Sequence, residues 1–113
     1  MPTEKAKKHY QGKDGYLKLN CAQSVVAAFQ DSFPLADADI DKFAAHGGGK
    51  APQGLCGAVY AASILAGDNA DKIMNSFEQQ AGALTCKEIR NLRKLPCIGC
   101  VEYGAHLVAE LNP

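Results

Sequence analysis

Residues 58–67 read AVYAASILAG, a run with no charged residue and no polar stripe. A helix that is apolar on every side is stable in water only when other elements surround it. About twenty such residues are needed to cross a bilayer, so this run must be covered by the rest of its own chain. The run therefore predicts a buried central helix from about Leu55 or Cys56 to Ala66, stopped by Gly67.

The remaining sequence supplies helices to surround it. No segment alternates with period two and no Asn-Gly hairpin turn occurs, while helical spacing recurs between glycines, prolines and capping residues. A short first helix spans about Thr3 to Tyr10. Asn20, with Gln23 three positions on, forms a capping box for a second helix that ends before Pro34. A third, rich in Asp in its first turn, runs from Ala36 or Asp37 to His46. After the central helix, Asp68 or Asn69 starts a fifth with a stripe of Ile73, Met74, Phe77, Ala81 and Leu84. Thr85, with Glu88, caps a sixth. Pro96 opens a seventh whose Val101, Ala105, Val108 and Leu111 face inward. The expected fold is all-α: a compact bundle of six or seven short helices around residues 55–66, forming one domain over residues 1–113.

Composition narrows the function. Twelve Lys and Arg balance twelve Asp and Glu, so no net field draws the chain to nucleic acid or to an anionic membrane. The N-terminal residues are polar, unlike a secretory signal, and the expected location is cytoplasmic. There, five cysteines point to thiolates for redox or metal chemistry rather than to a disulfide framework, and an odd number cannot pair completely within one chain.

The placement of those cysteines carries the functional argument. Cys21 follows the cap Asn20, Cys56 stands at the start of the central helix, Cys86 follows the cap Thr85, and Cys97 follows Pro96 with Cys100 one turn on. All five fall in the first turn of an expected helix, where free backbone N–H groups and the dipole stabilise an anion and a thiolate becomes more reactive at neutral pH.

Familiar motifs are absent. Thioredoxin-like CxxC pairs sit in a βαβ setting, haem attachment needs His where Val101 stands, and a four-cysteine zinc ribbon needs a second CxxC. The cysteine spacings of 35, 30, 11 and 3 do not match a ferredoxin run. Gly49-Lys50 is followed by Ala51 instead of the Ser or Thr of a phosphate loop. The HGGG stretch has no G-x-S-x-G nucleophile to serve. Its glycines permit close backbone approach beside Cys56 to a helix, a cofactor or an anion. His46, at a helix end next to this loop, is a candidate ligand or proton donor, whereas His9 and His106 are expected to face solvent.

In order, NCAQSVVAAF, GGGKAPQGLCGAVYAA, TCKEIR and PCIGCVEYGAHLV resemble the redox-active protein family named for its pattern C_GCAxxG_C_C, over about residues 15–111. The resemblance implies an α-helical domain whose family cysteines are Cys21, Cys56, Cys86 and Cys97. It makes Gly54, Gly57 and Ala58 the accompanying pattern residues, the positions where a cofactor would rest, and Cys100 an addition shared by some members. Ala61 replaces a late glycine of the pattern and widens the helix contact there by a methyl group.

Two readings follow. In the first, the chain is a thiol-based redox or electron-transfer protein serving a redox partner protein or a small molecule: Cys97 attacks, Cys100 resolves, and Cys56 is a second redox position. In the second, Cys21, Cys56, Cys86 and Cys97 hold an iron–sulfur cluster or a soft ion such as zinc, with Cys100 or His46 as a spare ligand. A helical interaction module with merely packed cysteines is the plainer alternative, and the apolar bundle leaves room for a homodimer.

Overall fold

The computed structural model describes residues 2–16, 18–30, 37–47 and 51–111. They form seven α-helices: α1 (Pro2–Gln11), α2 (Cys21–Ala28), α3 (Asp37–Lys42), α4 (Gly57–Ala66), α5 (Ala70–Ala81), α6 (Cys86–Leu92) and α7 (Cys97–Leu111), and no strand occurs among the described residues. Short 3-10 turns extend α3 over Phe43–His46, precede α4 at Pro52–Gly54 and join α4 to α5 at Gly67–Asn69. The fold is the expected all-α bundle.

Local chemistry sets most of the boundaries. At α2, the Asn20 Oδ1 accepts from the Gln23 amide at 2.7 Å while the Gln23 Oε1 accepts from the Asn20 amide at 3.2 Å, the reciprocal capping box. The Asn20 side chain reaches further: its Nδ2 donates to the carbonyls of Phe43 and Ala44, and the Gln23 Nε2 donates to Ile40. One cap therefore starts α2 and also fastens the α3 segment to it. Thr85 caps α6 through the Glu88 amide. Glu88 answers the Thr85 hydroxyl, at 2.8 Å, instead of its amide. Gly67, at φ 58°, ends α4 as expected. The second helix stops at Ala28, earlier than the sequence suggests, and the Asp31–Phe33 stretch assigned to it lies outside the described residues, as do Gly49 and Lys50.

The core is built where α4 and α7 cross. Each packs on α2 and α5, and α1 covers α2 and α7. Ala58, Val59, Ala61 and Ala62 of α4 and Val101, Ala105 and Val108 of α7 are fully buried, with Phe77 and Ile73 filling the space beneath α5. Small side chains let the two central helices approach closely: a Cβ at Gly104 would stand 3.2 Å from the Ala58 carbonyl. The surround is incomplete at one point, since Ile64 is 53% exposed. α6 sends Ile89 into the core.

Two backbone details place the cysteines. At Gly57, the first residue of α4, a Cβ would lie 2.5 Å from the His46 carbonyl and 2.7 Å from the Cys21 sulfur, so only glycine allows the starts of α2 and α4 to meet. The Cys56 amide donates to the Leu84 carbonyl at 2.8 Å, next to a single antiparallel bridge between Leu55 and Thr85. That pairing holds the start of α6 beside the start of α4.

Gly57→Ala should therefore destabilise the fold by about 1–3 kcal/mol, the usual cost of overpacking, in a denaturant titration. Arg93 closes α6 in the left-handed region at φ 55°, which costs a non-glycine residue about 1 kcal/mol. Arg93→Gly should recover roughly that amount in the same titration, and a loss of stability would show that the arginine is held there by contacts that outweigh the strain.

Candidate functional site: a cavity lined by five cysteines

Four helix starts meet at one cavity. Cys21, Cys86 and Cys97 are the first residues of α2, α6 and α7, Cys56 is the N-cap of α4, and Cys100 lies one turn into α7. All five line a cavity of about 700 Å³, and all five are free thiols. The expectation that every cysteine sits at a helix start holds, and the fold adds that the starts converge.

Within the cavity the thiols divide into distinct settings. Cys56 and Cys100 are buried, at 6% and 2% exposure, and touch across the α4–α7 crossing. The neighbouring Cys100 thiol favours the Cys56 anion and pulls its pKa down to about 7. Burial opposes that shift, while the Val59 and Ala58 amides at the start of α4 and the charge of Arg90 support it. The Cys56 side chain closes no cap hydrogen bond on α4, so the amides act on its sulfur as nearby dipoles. Cys100 moves the opposite way. The neighbouring Cys56 first, and then burial, hold its thiol protonated, and that thiol donates to the Leu95 carbonyl at 3.9 Å. Of the two, Cys56 gives up its proton first.

Cys97 has other neighbours. It lies beside the Tyr10 hydroxyl of α1 and the Arg90 guanidinium of α6. Burial first, and then the charge of Cys97, push the Tyr10 phenol up to about 12, so it remains a donor throughout the physiological range. Cys86 is half-buried, and its pKa is raised by that burial despite Arg90 nearby. Position at a helix start alone therefore does not lower a thiol pKa here. Among these shifts the downward one is at Cys56, where a neighbouring thiol favours the anion.

The remaining candidate positions fall around this cavity. Gly57 permits the close approach of Cys21, and Ala58 offers its amide towards Cys56, but neither they nor Gly54 line the cavity. Gly54, at φ 74°, borders a shallower hollow formed with Thr85, Lys87 and Glu88. Ala61 is fully buried in the α4 packing. His46 lies edge-on to Phe43 and tilted against Tyr60, does not line the cavity, and its buried Nδ1 has no hydrogen-bond partner among the described residues. His106 is exposed and pairs with Glu110, and His9 lies edge-on to Tyr16. Among the described residues, no three His, Cys, Asp or Glu side chains gather closely enough to hold a metal ion. Cys21, Cys56, Cys86 and Cys97 all line the cavity. No described helix is long and apolar enough to cross a membrane.

Sequence reading missed Tyr10, Lys18, Arg90 and Arg93, all of which line the cavity. Arg90 carries a partial signal: it stands four positions after Cys86, one helical turn away, so its charge falls on the same side of α6. Tyr10 carries none, because only the packing of α1 against α7 brings it to Cys97.

The Cys56 thiolate should form with a midpoint near 7 in an ultraviolet absorbance titration that follows the thiolate band. Because this pKa lies below the ordinary thiol value of about 8.5, the thiolate fraction grows as pH rises through 7. Cys100→Ala removes the largest stabiliser of the anion and should return the midpoint towards that ordinary value, slowing alkylation of Cys56 at pH 7 on the order of tenfold.

Comparison with curated proteins finds no match, and neither does comparison with solved structures. A family profile described as "Putative redox-active protein (C_GCAxxG_C_C)" matches residues 19–111 and takes in all five cysteines. A match over so much of the chain fixes its membership: this protein belongs to the C_GCAxxG_C_C redox-active family.

Proposed function

We propose that the protein is a thiol–disulfide redox carrier whose working couple is Cys56 with Cys100. The carrying observation is that Cys56 and Cys100, both buried, stand in the wall of one cavity, the first with a lowered pKa and the second with a raised one. That is the asymmetry a two-step exchange needs: one sulfur attacks as an anion, and the other stays in reserve.

The exchange balances as follows. The Cys56 thiolate attacks one sulfur of an oxidised partner's disulfide, the partner's S–S bond breaks, and a thiolate leaves. Cys100 then gives up its proton to solvent or to the departing thiolate, and its sulfur attacks Cys56 in the mixed disulfide. The Cys56–Cys100 bond forms and the second partner thiol is released. Two electrons pass from the dithiol to the partner, and run in reverse the same steps reduce the couple.

This moves the attacking role from Cys97, favoured by its place in the CxxC, to Cys56. Cys97 is engaged by Tyr10 and Arg90, while the sulfur in contact with Cys100 belongs to Cys56. The metal reading gains no support from the scattered positions of the thiols around the cavity. A redox partner, protein or small molecule, is part of the proposal.

Equilibration with dithiothreitol buffers of graded potential tests it. Wild type and Cys97→Ser should each show one two-electron transition that consumes two of the five thiols, and Cys56→Ser and Cys100→Ser should show none. A transition that survives Cys56→Ser and vanishes in Cys97→Ser would assign the couple to the CxxC instead.

A further inference from the structure

The two sulfurs of the proposed couple are buried on the protein side and reachable from the cavity. Whatever exchanges with them has to enter that space. Its volume of about 700 Å³ lies within the range of about 300–1,000 Å³ that small-molecule sites occupy.

The lining has an uneven charge. Lys18, Arg90 and Arg93 border the cavity, and no Asp or Glu does so among the described residues. None of the three pairs with a carboxylate among the described residues. Overall the chain is neutral, so this cluster is a local concentration of positive charge and not the reflection of a basic protein. Arg93 adds a second, independent sign. It occupies a left-handed helix-closing position that favours glycine, and strain of this kind tends to persist where a side chain serves a site. Between the cations lie Leu19, Ile89, Leu95 and Pro96, an apolar wall for the body of a ligand.

We propose that the cavity takes small organic disulfides bearing carboxylates, with the anionic ends held by Arg90, Arg93 and Lys18 and the S–S bond presented to Cys56. The proposal rests on the thiol–disulfide reading above and names its substrate class. Per turnover, the protein dithiol becomes the Cys56–Cys100 disulfide and the substrate disulfide becomes two thiols.

The test uses the reduced full chain with three disulfides: oxidised glutathione, which is anionic, 2-hydroxyethyl disulfide, which is neutral, and cystamine, which is cationic. Each rate is divided by the rate of the same disulfide with dithiothreitol, to remove its intrinsic reactivity. The expected order is anionic, then neutral, then cationic, spread over about tenfold or more at low salt and compressed when salt screens the rim. Arg93→Gly, which suits the left-handed backbone, and Arg93→Gln should both shrink the ratio of oxidised glutathione to cystamine several-fold. Equal normalised rates, or a preference for cystamine, would overturn this inference and leave the thiol couple standing. No exchange with any of the three would overturn both.

Discussion

The arrangement depends on a contact that only glycine permits. Where Gly57 meets the Cys21 sulfur and the His46 carbonyl, the first turns of α2 and α4 come together, and the Cys56 amide, bonded to the Leu84 carbonyl, draws the first turn of α6 alongside. Because α7 crosses α4 at the Gly104–Ala58 contact, its first turn completes the group. Bringing several helix N-termini to one place concentrates unsatisfied amides and positive dipole ends, which repel one another unless something anionic or polarisable stands between them. Cysteine suits that position: small enough to fit, soft enough to pack, and able to ionise.

The thiols are not equivalent, and the reason is competition between burial and a neighbouring thiol. Burial favours the neutral thiol at Cys56, Cys86 and Cys100, and it dominates at Cys86. At Cys56 the neighbouring Cys100 thiol favours the anion, and its effect outweighs the burial of the same sulfur. The two cysteines therefore separate, one towards the anion and one towards the thiol, although they share the same surroundings. In the proposed couple this difference sets the attacking sulfur apart from the waiting one without a separate base.

Much of this was written locally in the sequence. The capping box at Asn20 and Gln23, the Thr85 cap, the Gly67 stop and the apolar run of α4 each depend on residues within one turn of each other, so spacing reveals them. The placement of all five cysteines at helix starts followed from those caps. What spacing could not reveal is which starts meet. The CxxC suggests that Cys97 and Cys100 belong together, whereas the fold turns Cys100 towards Cys56, which is 44 positions earlier in the chain, and leaves Cys97 with Tyr10 and Arg90. The single Leu55–Thr85 bridge has no periodicity to betray it, and Arg93 stands where helix-ending rules ask for glycine.

The central claim is the identity of the disulfide, and mapping it is the most direct measurement. The reduced protein would be oxidised gently with one equivalent of diamide, the remaining thiols blocked, and the digest sequenced by tandem mass spectrometry. The peptide holding Cys56 should be crosslinked to the one holding Cys97 and Cys100, with fragmentation placing the bond at Cys100. A closed Cys97–Cys100 ring, with Cys56 alkylated, would contradict it.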